Sequence, residues 1–267
     1  MKDTRLHIFL HIHKTGGSTI QKIISRNYPK KSALHIPHLK ASDLYMNLSP
    51  DEKKRIHIVK GHFPFGIHSN ANADSFTYFS MLRNPVDRLI SAYYYVLERP
   101  HLPIYAQVTS KNLSLSEFMT SGIKGIIENG QTKMIAGMLD MEYGSCNEEV
   151  YLKAVDNIEK YFSVVGLSEQ FDESALLMAK ELGWKKTWYT RANITKNKPK
   201  RSTFSKDEIE IIEKYNQWDI KLVEYCKFRL QKQWNQNTDL HGQLERYKKK
   251  NRTMEKLKKI KNIFSRS

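Results

Sequence analysis

Arg5-Leu6-His7-Ile8-Phe9-Leu10-His11-Ile12 runs directly into His13-Lys14-Thr15-Gly16-Gly17-Ser18-Thr19, and this passage decides the fold. The first half is a compact apolar run of the kind that forms a buried strand. The second half is a glycine loop rich in hydroxyl side chains. Ile20, Ile23, Ile24 and Tyr28 then recur at helical spacing until Pro29, so the order is strand, loop, helix. Backbone N–H groups at the start of such a helix can surround a phosphate, and an anion is expected at residues 14–19. In the Walker signature the lysine follows the glycines, as Gly-Lys-Ser/Thr. Here Lys14 precedes them, which disfavours nucleoside triphosphate chemistry.

Working outward, Arg55 to Val59 is a second strand candidate, leading to Gly61-His62-Phe63-Pro64. A third is Phe76 to Leu82, followed by Arg83-Asn84-Pro85. Pro85 suits the first turn of a helix, whose stripe is Leu89, Ala92, Tyr93 and Val96. That places Arg83 at a strand end and Ser91 about two turns later, where both can reach one anion. The segment 101–149 reads as short helices and loops, with a cap pattern at Ser114 to Glu117 and a helix over Gln131 to Leu139. A helix over Asn147 to Tyr161, a strand over Phe162 to Leu167 and a helix over Phe171 to Leu182 follow. Trp184 to Phe204 is a polar, basic loop, and Ser205-Lys206-Asp207-Glu208 opens a helix running to about Gln233. Strands alternating with helices predict an α/β fold with a mostly parallel sheet and ligands at the carboxyl ends of its strands.

The chain has 267 residues, 40% of them hydrophobic and 27% charged, enough for a sizeable core and one or two compact domains. Its longest apolar runs fall far short of the roughly 18 residues of a membrane-spanning helix. The histidines near the start and the lack of a small-residue cleavage site argue against a signal peptide. Two cysteines, Cys146 and Cys226, give neither a disulfide framework nor paired metal-ligand spacing, which fits a reducing compartment. His11 and His13 point the same way in an extended chain, but no third ligand pattern accompanies them, so no metal is expected. The formal charge of +16 fixes the sign of the partner without naming it. About +7 of it lies beyond Gln236. That tail reads either as a solvated basic helix or as an attachment to anionic lipid or polymer through Leu257, Ile260, Ile263 and Phe264.

The motifs His-Ile-His-Lys-Thr-Gly-Gly-Ser-Thr (residues 11–19) and Leu-Arg-Asn-Pro-Val-Asp-Arg-Leu-Ile-Ser-Ala-Tyr-Tyr-Tyr (residues 82–95) together resemble the two cofactor motifs of the sulfotransferases that use 3'-phosphoadenosine 5'-phosphosulfate (PAPS). The likeness is to the glycan branch that contains the heparan sulfate 2-O- and 6-O-sulfotransferases. Gly130 to Gly137 and Val165 to Ser174 resemble further segments of that family, so the likeness covers about Arg5 to Gln233. It implies a P-loop-NTPase-like three-layer fold, a sulfotransferase domain over 1–235 and a basic, helical or flexible tail over 236–267. By the same resemblance Lys14, Thr15, Gly16, Gly17, Ser18 and Thr19 would hold the 5'-phosphosulfate, and Arg83 and Ser91 the 3'-phosphate. Arg191, Asn193, Thr195, Lys200 and Arg201 fall where the family has a late basic loop over the nucleotide.

Sulfuryl transfer loads charge onto a leaving phosphate oxygen, which a fixed cation such as Lys14 would stabilise. The acceptor hydroxyl must lose a proton to a positioned base. The 2-O branch has a Gly-His segment where this chain has Gly61-His62, which implies His62 as that base. Where those enzymes carry a further histidine, this chain has Lys60. Tyr93, Tyr94 and Tyr95 read mainly as helix packing, with one ring able to face the cleft. The expected activity is transfer of sulfate from PAPS to a hydroxyl of a saccharide, glycan or glycolipid, anionic or lipid-linked acceptors included, without a metal or nucleic acid. The alternatives are a P-loop small-molecule kinase and a non-catalytic binder of anionic polymers. Membrane-anchored relatives in the secretory pathway carry an anchor before the first motif. That motif lies a few residues after Met1 here, so a cytoplasmic, membrane-peripheral enzyme is expected.

Overall fold

A computed structural model describes residues 5–38, 43–70, 75–123, 127–191 and 199–264, with side chains to 260. Five strands form one all-parallel sheet: β1 (Leu6–Leu10), β2 (Ala33–Ile36), β3 (Ile58–Gly61), β4 (Phe76–Leu82) and β5 (Phe162–Leu167). Their order is β2-β3-β1-β4-β5. Every β1 residue is buried, as a strand covered on both faces requires. β1 is central because the chain leaves it toward one edge through β2 and β3 and later returns on its other side through β4 and β5. The reversal puts a topological switch between β1 and β4, where α/β sheets open a crevice at their carboxyl ends.

The helices are α1 (Gly17–Asn27), α2 (Asp43–Met46), α3 (Pro50–Arg55), α4 (Pro85–Leu97), α5 (Pro103–Thr109), α6 (Leu115–Thr120), α7 (Gly130–Ala136), α8 (Glu148–Tyr161), α9 (Phe171–Glu181), α10 (Lys206–Tyr215), α11 (Gln217–Gln236) and α12 (Thr238–Phe264). The main core gathers the strand side chains with Ile20, Ile23 and Ile24 of α1 and Leu176 to Met178 of α9. A second apolar cluster joins α4, α6 and α10 through Leu89, Ile90, Phe118, Met119 and Ile212. The capping boxes at Ser114 and Ser205 form as their sequences predict, and Asn84 caps α4 by accepting from the Asp87 N–H.

Two expectations need correction. β2 was not anticipated, since four residues of mixed exposure, of which only Ile36 is buried, carry little periodicity after a lysine pair. The helix expected from Ser205 to Gln233 breaks at Asn216, whose backbone leaves the helical region with φ of -130° and ψ of 28°. The break builds a reciprocal cap. Asn216 Oδ1 accepts from the Asn129 N–H, while Asn129 Oδ1 accepts from the N–H groups of Trp218 and Asp219. Asp219, fully buried, accepts from the N–H groups of Gln131 and Thr132, from the Thr132 hydroxyl, and from Arg88 Nη2 at 3.4 Å. One carboxylate thus seats the start of α7 against α11 and α4.

The last helix packs on α9, where Lys180 and Asp239 pair at 2.7 Å, and it holds the preceding loop by its main chain. Asn251 accepts from the Tyr189 N–H, Tyr247 donates to the Thr187 carbonyl, Glu255 accepts from the Arg191 N–H, and Lys258 donates to the Arg191 carbonyl. No helix among the described residues is long and apolar enough to cross a membrane.

Removing Asp219 leaves a buried guanidinium without its carboxylate and α7 without its cap. Asp219→Ala is expected to lower stability by about 3–5 kcal/mol in urea unfolding. Asn147→Ala, which removes an exposed cap of α8, is expected to cost only about 1 kcal/mol.

Candidate active site

Neighbouring strands deliver the site from their carboxyl ends. β1 leads to the loop 13–19, β3 to His62, β4 to Arg83, and β5 to Ser168 and Glu169. Lys14 and Gly16 both take left-handed backbone conformations, with φ of 67° and 84°. Gly16 tolerates this without strain, and the turn aims the first N–H groups of α1 into the crevice. No side chain caps α1 at Gly16, and its first turn has no acidic residue, so the helix N-terminus keeps its positive end for an anion. A Cβ at Gly17 would lie 2.1 Å from the His11 ring, so only glycine fits there.

The loop is fixed from three sides. Thr15 Oγ1 donates to the Ile12 carbonyl at 2.8 Å, Ser168 donates to the Thr15 carbonyl, and Arg83 Nη1 donates to the Lys14 carbonyl at 3.1 Å. Arg83 is itself clamped by Gln131, whose amide exchanges two 2.9 Å hydrogen bonds with its main chain. Glu169 accepts from the Asn84 N–H beside it. The Lys14 ammonium lies 3.9 Å over the Tyr95 ring, which makes Tyr95 the tyrosine of the triplet that faces the loop. Tyr93 donates to the Leu113 carbonyl and packs on Phe118. Ser91 is buried on α4.

Three imidazoles stack at the mouth. His62 lies 3.7 Å from His13, nearly parallel to it, and 4.2 Å from His11 on the other side. His62 Nδ1 is 2.7 Å from the His11 carbonyl. A carbonyl only accepts, so the proton sits on Nδ1 and the lone pair of Nε2 is left for another partner. Gln21 Nε2 donates to His11 Nδ1 at 2.9 Å and orients that ring beneath Gly17. Burial, opposed in part by the bond to the His11 carbonyl, lowers His62 to about 4; burial and the neighbouring His62 lower His13 to about 3. Burial also lowers His11 well below its ordinary value. All three are neutral at pH 7.

The late basic residues are not gathered with the loop. Arg201 pairs with Glu213 at 3.1 Å, Arg191 is gripped by its backbone on α12, and Lys200 is exposed. None of the three bonds to residues 14–19 among the described residues, and Asn193 and Thr195 lie outside those residues. The departure at Lys60 leads away from the stack, since its ammonium donates to Ser25 on α1. Sequence reasoning missed Gln131, Ser168 and Glu169 as supports of the site. The segments containing them stood out in the sequence, but no spacing rule says which strand end a distant side chain will grip. Among the described residues no group of three or more His, Cys, Asp or Glu is arranged to hold a metal.

A profile of the galactose-3-O-sulfotransferase family matches residues 2–259. The chain belongs to that family. Galactose-3-O-sulfotransferase 2 of Mus musculus is 28% identical over 200 residues, covering 66% of this chain and 49% of its own length. The Homo sapiens protein of the same name is 27% identical over 199 residues, with coverages of 66% and 48%. Heparan-sulfate 6-O-sulfotransferase 3 of Mus musculus is 24% identical over 289 aligned positions, covering 90% of this chain and 60% of its own length. The glycan sulfotransferase branch expected from the motifs is therefore the right one. The chain spans about half the length of the galactose-3-O-sulfotransferases it matches.

The comparisons overturn the cytoplasmic placement. It rested on how few residues precede the first motif and on contrast with anchored secretory-pathway relatives. The matched relatives are animal members of that glycan branch, and they extend well beyond the aligned part. The start of this chain therefore gives no ground for a cytoplasmic enzyme.

Three histidines with lowered values make the fold acid-sensitive. Protons absent from the folded stack bind the unfolded chain as pH falls through its ordinary histidine value of about 6.5. Stability should therefore fall from about pH 6.5 down to the folded values near 4 and 3. His62→Ala is expected to flatten the slope of unfolding free energy between pH 6 and 4.5 by about 1.4 kcal/mol per pH unit, measured by urea titration. An unchanged slope would show that His62 titrates normally in the fold.

Proposed function

We infer that this protein is a PAPS-dependent carbohydrate O-sulfotransferase, with His62 as general base and Lys14 as the cation at the leaving oxygen. The observation that carries the reading is the meeting of three strand ends: an uncapped helix N-terminus after β1, an anchored arginine after β4 and a histidine with its Nε2 lone pair available after β3. PAPS, when bound, supplies an activated sulfuryl group on a phosphate oxygen. The residues present fit that group. The left-handed turn at Gly16 opens the uncapped N-terminus of α1, Gly17 lets the His11 ring pack against it, and the Arg83 guanidinium lies beside the loop.

In this reading the N–H groups of residues 16–18 bind the 5'-phosphate, with the Thr15, Ser18 and Thr19 hydroxyls alongside, and Arg83 and Ser91 bind the 3'-phosphate. His62 Nε2 accepts the proton of the acceptor hydroxyl as the oxygen attacks sulfur. The His11 carbonyl then stabilises the proton held on Nδ1, so the imidazolium forms with its partner already in place. Lys14 offsets charge on the departing oxygen. Arg191, Lys200 and Arg201 enter this reading through the family resemblance alone; α12 holds the main chain of Tyr189 and Arg191. A galactose hydroxyl is the acceptor most directly suggested by the names of the relatives. A peripheral membrane contact, if made, would use Leu257 and Ile260, which remain about half exposed on the docked helix.

The test is transfer of labelled sulfate from PAPS to a galactose-terminated oligosaccharide. His62→Ala is expected to lower kcat by about 100-fold or more while calorimetric binding of the product nucleotide, 3'-phosphoadenosine 5'-phosphate, stays within about twofold. Arg83→Ala is expected to weaken that nucleotide by about tenfold or more. Full transfer by the His62 variant would remove it from the base role.

A further inference from the structure

At the opposite end of the sheet lies a cleft of about 1330 Å³ that the chemistry above does not use. Its walls come from the amino ends of the parallel strands, at Arg5 before β1 and His7 within it, Ser32 before β2 and His57 before β3, with the last turn of α1 and the segment after α9. A five-residue strand spans about 16 Å, so the cleft and the glycine loop are separated by the length of the strands.

The charge in it is one-sided. Seven Lys or Arg and two His line the cleft, and no Asp or Glu does. Lys54 leans on Asp51 at 3.6 Å outside it. Lys31, Lys185 and Lys186 are exposed and have no carboxylate partner among the described residues, while exposed Arg55 interacts with the Glu52 carboxylate, which does not line the cleft. Like charges gathered in a concavity repel one another and focus a positive potential, a cost that a bound polyanion would offset. The walls are also built rather than frayed. Asn27 Oδ1 accepts from the N–H groups of both Lys185 and Lys186 at 3.0 Å, and Asn27 Nδ2 donates to the Lys186 carbonyl. Arg26 lies 3.6 Å over the Trp188 ring and donates to its carbonyl. The floor is a polar relay in which the Trp184 indole donates to Tyr28, which also bonds His7.

We propose that this cleft is a second binding site, for a segment of anionic oligosaccharide bearing several sulfate or carboxylate groups. The choice of a saccharide among polyanions rests on the carbohydrate sulfotransferase reading; the charge argument does not. The volume exceeds the roughly 300–1,000 Å³ of a small-molecule site and suits several linked units. Single-stranded nucleic acid would need open aromatic faces for its bases, whereas Trp184 is buried and the Trp188 face is covered by Arg26. A concave cleft without exposed large apolar residues among its lining does not suit a flat bilayer. A polymeric glycan held here would be retained between transfers at the far side of the sheet.

The test is calorimetric titration with a heparin octasaccharide, used only as a defined sulfated saccharide. One variant carries Lys31→Ala, Arg55→Ala, Lys185→Ala and Lys186→Ala. A charge-matched control carries Lys249→Ala, Lys250→Ala, Lys256→Ala and Lys259→Ala. The cleft variant is expected to bind about tenfold or more weakly, the control within about threefold, and saturating 3'-phosphoadenosine 5'-phosphate should not displace the octasaccharide. Equal loss in the two variants, or displacement by the nucleotide, would overturn the site. Duplex DNA or phosphatidylserine vesicles binding as tightly as the octasaccharide, with the same dependence on the cleft residues, would overturn the saccharide assignment. Nucleotide binding by the cleft variant is read in parallel. Its absence in the unmodified protein too would count against the sulfotransferase reading and leave the cleft result standing.

Discussion

A parallel strand cannot pair with the next without a crossover, so all five strands end on the same side of the molecule, and everything chemical follows from that constraint. The order β2-β3-β1-β4-β5 adds the switch between β1 and β4. Lys14 and Arg83 leave the two strands that flank it, and the hydrogen bond from Arg83 Nη1 to the Lys14 carbonyl joins these neighbours across the crevice. His62 arrives from β3 on the other side of β1. Its Nδ1 bond to the His11 carbonyl is a consequence of strand adjacency, continuing a sheet in which the His11 N–H already donates to the Gly61 carbonyl.

The supports come from much further along the chain. Gln131 holds the main chain of Arg83, and Asp219 holds the helix that carries Gln131. Ser168 holds Thr15, and Glu169 holds the residue after Arg83. Buried hydrogen bonds of this kind contribute modestly one by one, but leaving a partner unsatisfied is costly, so the network fixes geometry more than it adds stability. Catalysis by positioned cations and a single oriented base needs that fixity.

Much of this was legible in the sequence because local rules govern it. The apolar run of β1, the Gly16-Gly17 turn, the Asn84-Pro85 start of α4 and the Ser205 cap each depend on a few adjacent residues. β2 escaped notice because an edge strand of four residues has too little pattern to rise above its lysine-rich flank. The break at Asn216 escaped because the helical stripe continues through it, and only the distant Asn129 supplies the partners that end one helix and begin the next. His62 could be singled out, but its tautomer and its place between two other rings depend on strand order. The cleft at the amino ends of the strands was invisible for the same reason. Its lysines and arginines come from five separate segments, each of which reads alone as an ordinary solvated charge.

The central claim is that the crevice at the β1/β4 switch reads a nucleotide with phosphates at both the 5' and 3' positions. Calorimetric titration of the protein with 3'-phosphoadenosine 5'-phosphate, beside adenosine 5'-phosphate, tests it most directly. The account predicts that the 3'-phosphate strengthens binding by about 100-fold, the worth of roughly two charge-assisted contacts from Arg83 and Ser91. Equal affinity for the two nucleotides would contradict it.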